Sequence, residues 1–451
     1  MQFIIGDDIC ALSTANGSAA LAVVRCSGPN TLKKLSEVFK RDLLLENANS
    51  AKFARFYDGD AVLDETVLAI FKAPKTFTGE DVAEISFHGS PFVVTRALTI
   101  LADNGFRMAQ GGEFSFRAFS NGKMDLSQTE AISDLIASEN EASHKLAMNQ
   151  LRGGYSQLMN TLRDELIHFA SLIELELDFS EEDVEFANRP ELIALLNKVI
   201  DQCHVLCDSF RMGNAIKKGV PVAIIGKPNA GKSTLLNALL KDERAIVSDI
   251  AGTTRDTVED TCTINGVGFR FIDTAGLRES TDVIEQEGIR RSKVSIDKAD
   301  VILALYDASA DNTAEELQFL HDAIGNSDAQ IIYIANKCDK KENLSIIEGH
   351  LPLSAKGKTG MDDLEHALVE SVNDAIPSES AFTLSNVRHY AALKQCAEAL
   401  TEVIAGLELG IPGDLIAIDI RRGIAEIGSI TGEITTDDLL GNIFSKFCIG
   451  K

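Results

Sequence analysis

Residues 1–120 interleave short apolar runs, among them AALAVVRC, TVLAIF and DVAEISFHG, with one or two stretches of helical spacing. Short β-rich runs mixed with helix predict an α+β fold for this part. From about residue 121 the texture changes. DLSQTEAISDLIASENEASHKLAMNQL spaces its apolar residues three and four apart, which predicts helix, and that character runs to about 216. The acidic ELELDFSEEDVEF within it reads as a solvated helix end and loop rather than a metal site. At 219 the pattern switches again, to VPVAIIG, FRFIDTAG, VILALYD and IIYIANKCD. Apolar strands each followed by a helical segment predict a parallel sheet of βα units. This pattern ends near NDAIPSES, at about 377, and helical texture returns to the end.

The economical architecture is a helical domain with an α/β domain inserted into it. Its segments are 1–120 (α+β), 121–218 (helical), 219–377 (inserted α/β) and 378–451 (helical). The two helical segments are expected to pack together, which returns the C-terminus towards the N-terminal half.

Composition narrows the class. At 451 residues, 45% hydrophobic and 25% charged, the chain suits a soluble protein of two to four domains. No run of roughly 18 apolar residues occurs, so no spanning helix and no membrane partner are expected. MQFIIGDDIC lacks the basic region of a signal peptide. Cysteines at 10, 26, 203, 207, 262, 338, 396 and 448 show no disulfide rhythm, which points to a reducing cytoplasm. The net charge of −25 argues against a generic nucleic-acid coat. Residues 1–120 carry only −2 of it, so a polyanion meets least repulsion there.

The chemistry sits in the inserted segment. GKPNAGKS begins at Gly226, after a strand and before the helix STLLNALL. That is a phosphate loop in its required context: its glycines let backbone N–H groups converge on phosphate oxygens at a helix N-terminus, and Asn229, Ala230, Gly231 and Thr234 are expected to contact the nucleotide. Lys232 should reach the β and γ phosphates, and Ser233 should ligate Mg²⁺. DTAG (Asp273, Thr274, Ala275, Gly276) follows an apolar strand, where a carboxylate can hold the Mg²⁺ shell and a glycine can sense the γ-phosphate. NKCD brings Asn336, Lys337 and Asp339, whose carboxylate can accept from guanine N1 and N2. SAK brings Ser354 and Ala355, whose N–H can meet guanine O6. Four such stretches in order select GTP over ATP. GTTRD, from Gly252, is then the first switch, with Thr254 as a second Mg²⁺ ligand. Leu277 follows DTAG where a Ras-like protein places its water-orienting glutamine. Glu279, Asp282, Glu285 and Glu287 are nearby carboxylates that spacing does not separate. No obvious cis arginine finger stands out, with Arg255 and Arg278 as candidates, and the alternative is a slow GTPase that needs an external activator.

The loop with Asn229, together with DIAGTTRD, DTAGLRES, FTGEDVAEISFHGS, GGEFSFRAFSNGKMDLSQTEAISDLI and ITGEITTDDLLGNIFSKFCIGK, resembles the bacterial and organellar tRNA-modification GTPase family (MnmE, also called TrmE) over essentially the whole chain. The resemblance implies a folate-binding-like, dimerising N-terminal domain, an all-α helical domain and an inserted Ras-like P-loop GTPase domain. It implies a homodimer whose G domains meet across their nucleotides, with K⁺ in place of an arginine finger. By position Asn229, Ser248, Ile250 and Thr253 would hold K⁺, and Glu285 would orient the attacking water. It further implies an FAD-dependent partner protein, a heterotetramer with it, and modification at C5 of the wobble uridine (position 34) of tRNA. The one-carbon donor would be 5-formyl- or 5,10-methylene-tetrahydrofolate, contacted by Arg25, Glu84, Lys123 and Lys451. Such cations suit folate carboxylates, and a carboxylate suits pterin N–H groups. The rival class is a scaffold GTPase without folate chemistry.

The ending FCIGK places Cys448 fourth from the last residue. Glycine and lysine in the following positions fit a prenylation signal poorly. The apolar LLGNIFSKFCI predicts a docked end rather than a frayed one. The resemblance leaves Cys448 either a direct role in the modification or one in packing. Cys203 and Cys207 in CHVLC read as helix packing rather than as metal ligands with His204. His88 reads either as lining a folate pocket or as a satisfied core histidine.

Overall fold

The computed structural model describes residues 3–178, 188–242, 260–272, 293–310, 312–341, 346–373, 382–445, 447 and 450. The chain divides into two compact units. One holds Met1–Ile136, Gln150–Ala187 and Pro412–Lys451; the other holds Ala137–Asn149 and Asn188–Ile411.

The first unit is built on a six-stranded sheet: β1 (Ile9–Leu12), β2 (Leu21–Gly28), β3 (Ser50–Asp58), β4 (Ala61–Phe71), β5 (Asp81–His88) and β6 (Arg107–Met108). Their order is β3-β4-β5-β2-β1-β6, antiparallel throughout except where β6 joins β1. Period-2 alternation decides the two faces. On β5, Ala83, Ile85 and Phe87 are fully buried. They share a core with Leu32, Leu35, Ala97 and Leu101, from the helices Thr31–Val38 and Pro91–Asp103. Glu84, Ser86 and His88 lie on the other face, opposite Arg25, Val23 and Leu21 of β2.

Two helices of this unit, Gly154–Asp178 and Gly413–Thr431, pack along one another although their residues lie far apart in the chain. Arg421 pairs with Glu174 across them at 2.5 Å. The last helix, Asp437–Phe444, starts at Thr436, whose hydroxyl accepts from Leu439 N–H at 3.3 Å. It delivers Phe444, fully buried, against Phe3, Phe116, Phe119 and Phe447. The end of the chain is therefore docked by aromatic packing.

The second unit carries another six-stranded sheet: β7 (Val220–Ile225), β8 (Asp260–Ile264), β9 (Val267–Phe271), β10 (Val301–Asp307), β11 (Gln330–Asn336) and β12 (Leu351–Pro352), in the order β12-β11-β10-β7-β9-β8. Every pair is parallel except the β8–β9 hairpin. All six residues of β7 are buried, as expected of a central parallel strand covered on both faces. Leu235, Leu239, Leu364 and Leu368 cover one face; Leu320 and Ile324 cover the other. In the same unit the helices Arg189–Lys218 and Val387–Glu408 pack together, with the Phe210 and Tyr390 rings stacked at 4.6 Å. Cys203 is buried between them, and Cys207 Sγ lies 4.0 Å from Tyr390 O.

The fold class expected from the sequence is the one adopted: an α+β part, helices, and an α/β part with a phosphate loop. Among the described residues no helix is long and apolar enough to cross a membrane.

Candidate functional site

The phosphate loop lies between β7 and the helix Lys232–Asp242. Asn229 is exposed at its tip in a left-handed conformation, with φ of 65°. Lys232 folds back over the loop. Its ammonium donates to the carbonyls of Gly226 (2.6 Å) and Lys227 (3.1 Å), and burial lowers its pKa. Ser233 is half-buried on the first turn of the helix and Thr234 is exposed beside it.

The guanine motifs converge on this loop through one side chain. Asn336, at the end of β11, is 2% exposed. Its Nδ2 donates to Ala230 O at 2.8 Å, and its Oδ1 accepts from Ala355 N–H at 3.1 Å. One amide thus ties the phosphate loop to the guanine loop. Gly231 makes room for it: φ is +106°, and a Cβ there would lie 2.2 Å from Asn336 Nδ2. The Ala355 N–H expected to meet guanine O6 is engaged with Asn336, so O6 would share that donor. Ser354 Oγ donates to Asp339 Oδ1 at 2.6 Å and accepts from Gly357 N–H at 3.0 Å. The Ser354 hydroxyl is the main reason the Asp339 carboxyl sits below the usual carboxylate range. Asp339 therefore stays an ionised acceptor, as reading guanine N1 and N2 requires.

A second cluster lies on the first sheet. Arg25 of β2 donates to Glu84 Oε1 of β5 through Nε (2.9 Å) and Nη2 (2.8 Å). Its Nη1 donates to the carbonyl of Gly450, second from the last residue, at 3.2 Å. Ser13 Oγ donates to the same carbonyl at 3.3 Å. The guanidinium lies over the rings of Phe77 and Phe114, 5.4 and 5.8 Å from their centroids. The segment bearing Phe77 is held from several sides. Ser27 Oγ lies 2.7 Å from Thr78 Oγ1 and 2.7 Å from Glu80 Oε2, and Asn121 donates to Thr78 O at 2.7 Å. Fully buried Arg117 donates to Glu80, Asp7 and Glu113. Burial opposes ionisation of Asp7, but Arg107 and Arg117 outweigh it and hold the carboxyl below its ordinary value. Exposed Lys123 runs past Gly79, its Cε 3.2 Å from where a Cβ there would sit. Arg25 and Lys123 thus flank one loop, and Glu84 is held by Arg25. His88 is not a core histidine: its side chain is 72% exposed, with Nδ1 2.7 Å from Asp64 Oδ1.

Ser248, Ile250, Thr253, Thr254, Asp273, Thr274, Ala275, Gly276, Glu285, Cys448 and Lys451 lie outside the described residues, as do Leu277 and the candidate arginines Arg255 and Arg278.

Two family models match the chain: the GTP-binding protein TrmE N-terminus over residues 8–123, and the MnmE helical domain over residues 126–448. The tRNA modification GTPase MnmE of Christiangramia forsetii is 47% identical, over 99% of this chain and 100% of its own length. The protein of the same name from Flavobacterium psychrophilum is also 47% identical, with the same coverage. The chain belongs to the tRNA modification GTPase MnmE family. Among solved structures, Aquifex aeolicus Era bound to GDP·AlF4− is similar at 30% identity and a TM-score of 0.26, over 40% of this chain and 65% of that one.

The residues that escaped the sequence analysis include Phe77, Phe114, Glu80 and Arg117 around Arg25, together with the Gly450 carbonyl and Asp307. The Gly450 carbonyl has no side-chain signature. Asp307, which pairs with Lys337 at 2.6 Å, ends the strand VILALYD in register with Asn336, and that strand end was a usable signal.

Proposed function

We propose that this chain is a K⁺-stimulated GTPase working as a homodimer with an FAD-dependent partner protein. Together they would use a tetrahydrofolate one-carbon unit to modify C5 of the wobble uridine of certain tRNAs, in the cytoplasm. Family membership carries the coarser part: the protein is a GTP hydrolase that takes part in tRNA modification, and it binds GTP and GDP. The folate and dimerisation functions are assigned to 1–120, the GTPase to 219–377, and the helical parts to 121–218 and 378–451.

The observation that favours folate chemistry over a scaffold is the convergence of Arg25, Glu84 and the chain end at Gly450. A guanidinium bedded on two phenyl rings beside a carboxylate suits a ligand with a flat heterocycle and carboxylates. Lys123 and Lys451 would add cations for the carboxylates, and Cys448 stands two positions before Gly450 in the sequence. Binding of 5-formyl-tetrahydrofolate to the full chain, followed by calorimetry, tests this reading. Binding that Glu84→Gln and Arg25→Ala each weaken at least tenfold supports it. Absence of binding by the wild type leaves a scaffold GTPase.

At the nucleotide, Ser233 and Thr254 would hold Mg²⁺, and Asn229, Ser248, Ile250 and Thr253 would hold K⁺. The exposed amide of Asn229, presented at the loop tip, fits a weakly bound monovalent ion better than a buried side chain would. A cation there offsets charge developing between the β and γ phosphates. Glu285 would orient water where Leu277 cannot. GTP turnover in KCl against NaCl at equal ionic strength, with Asn229→Ala alongside, tests this part. Equal turnover in both salts would refute it.

A further inference from the structure

We propose that Asp307 is a positioning residue of the guanine site, acting through Lys337. Lys337 follows β11 directly and adopts a left-handed backbone, φ 65° and ψ 33°. That turn sends its side chain back across the sheet end towards β10, where the ammonium donates to Asp307 Oδ2 at 2.6 Å. Asp307 is the last residue of β10, in register with Asn336 of β11. The pair therefore spans the two strand ends that frame the guanine motifs.

Several features separate this pair from an incidental surface contact. Both side chains are mostly covered, 22% exposed for Lys337 and 16% for Asp307. Each carboxylate oxygen of Asp307 is occupied. Oδ1 accepts from Ser309 N–H (2.9 Å) and from Ser309 Oγ (2.6 Å), leaving Oδ2 for the lysine. The backbone is anchored as well: Asp307 N–H donates to Glu316 Oε2 at 2.8 Å, and Ala308 N–H donates to Asn336 O at 2.9 Å. Two neighbours thus aim the carboxylate before the lysine arrives. Burial works against ionisation of Asp307, but its bonds to Lys337 and Ser309 hold the carboxyl below its ordinary value.

The consequence for nucleotide follows from where the charge is held. Asp339 is exposed, ionised and two residues from Lys337. An unheld lysine ammonium is a competitor for that carboxylate, which guanine N1 and N2 must reach. Asp307 removes the competitor. It also stretches the lysine methylenes across the strand ends, where an apolar stem can lie along a base. Both effects require Lys337. Asp307 acts only through the lysine, since both of its carboxylate oxygens are taken by Lys337 and Ser309.

The test is a double-mutant cycle on the full chain, reading the Kd of N-methylanthraniloyl-GDP by fluorescence for wild type, Asp307→Asn, Lys337→Gln and the double variant. Removing the charge of Asp307 should weaken binding about 5- to 20-fold, the range for a charge-assisted bond in a partly buried site. In the Lys337→Gln background the same substitution should change Kd less than about twofold, because nothing remains to be positioned. A general loss of packing would weaken binding equally in both backgrounds. Ser309→Ala, which removes one hydroxyl and no charge, serves if Asp307→Asn fails to fold. Its smaller loss, about two- to threefold, should likewise vanish in the Lys337→Gln background. Two results overturn the proposal: Asp307→Asn binding as wild type, or a loss that persists undiminished without the lysine.

Discussion

Replacing Asn336 tests how the nucleotide site is held together before any nucleotide arrives. Its amide joins Ala230 O to Ala355 N–H, and those two residues are 2% and 4% exposed. Asn336→Ala removes both bonds and strands a carbonyl and an N–H where water has little access. A neutral hydrogen bond contributes about 1 kcal/mol net, and stranding a buried partner costs ~1–3 kcal/mol. Partial relaxation around the smaller side chain brings the expected loss for two stranded groups to about 2–4 kcal/mol. In a unit of this size each kcal/mol moves the unfolding midpoint by about 2–4 °C, so the midpoint should fall by roughly 4–16 °C. Asn336→Asp is the sharper variant. It keeps an acceptor for Ala355 N–H but turns a carboxylate oxygen on Ala230 O, so it should lose at least as much. The assay is differential scanning calorimetry of the full chain with and without GDP. The transition that GDP raises reports the unit, and the shift is read without nucleotide. If either variant unfolds within about 1 °C of wild type, or if Asn336→Asp is the more stable of the two, the bridge does not hold the site as described.

Gly213→Ala should reverse the usual helix rule. Alanine normally stabilises a helix interior by ~1 kcal/mol over glycine, but a Cβ at Gly213 would sit 2.1 Å from Leu384 O. A loss of about 1–3 kcal/mol is expected in thermal unfolding, and a stabilised variant would sink the close-packing argument. Phe444→Ala empties the centre of the aromatic cluster. It should cost ~3–5 kcal/mol in the transition that GDP does not move, and a loss below about 1 kcal/mol would show the chain end is not docked by it. Burial pushes the Cys10 thiol up to about 12 and raises that of Cys26, its cross-strand partner. Both should therefore stay protonated and resist brief iodoacetamide treatment at about pH 8 in the native protein, then react after unfolding in guanidinium. Mass spectrometry reads the difference, and equal labelling of native and unfolded chains would contradict the burial.

The elements that carry a local signal were legible from residues alone. The parallel strands β7, β9, β10 and β11 are apolar runs, the helices keep a period of three to four, and the phosphate loop is a contiguous pattern between a strand and a helix. Strand β8 was not singled out. DTCTI is half polar and lies at the sheet edge, where only one side needs a partner. Strand β3, SAKFARFYD, escaped for the same reason at the edge of the first sheet. His88 ends a buried strand, which made a core position plausible, yet it falls on the open face because alternation sends every second residue there.

What the sequence by itself determined is the inventory: two sheet-forming regions, the helices around them, and the order of phosphate and guanine motifs that makes this a GTP-binding chain. Each of those depends on neighbours within one turn, strand or loop. What only the tertiary structure decided is which distant groups share a site. Arg25 meets Gly450 across 425 positions, Asn336 meets Ala230 across 106, and Lys337 meets Asp307 across 30. No spacing rule encodes such pairs. They arise because the open face of β2 and the ends of β10 and β11 are where other backbone segments arrive, and packing rather than propensity sets where those segments stop. A carbonyl, an amide or a carboxylate acquires its role there only once burial has removed the water that would otherwise satisfy it.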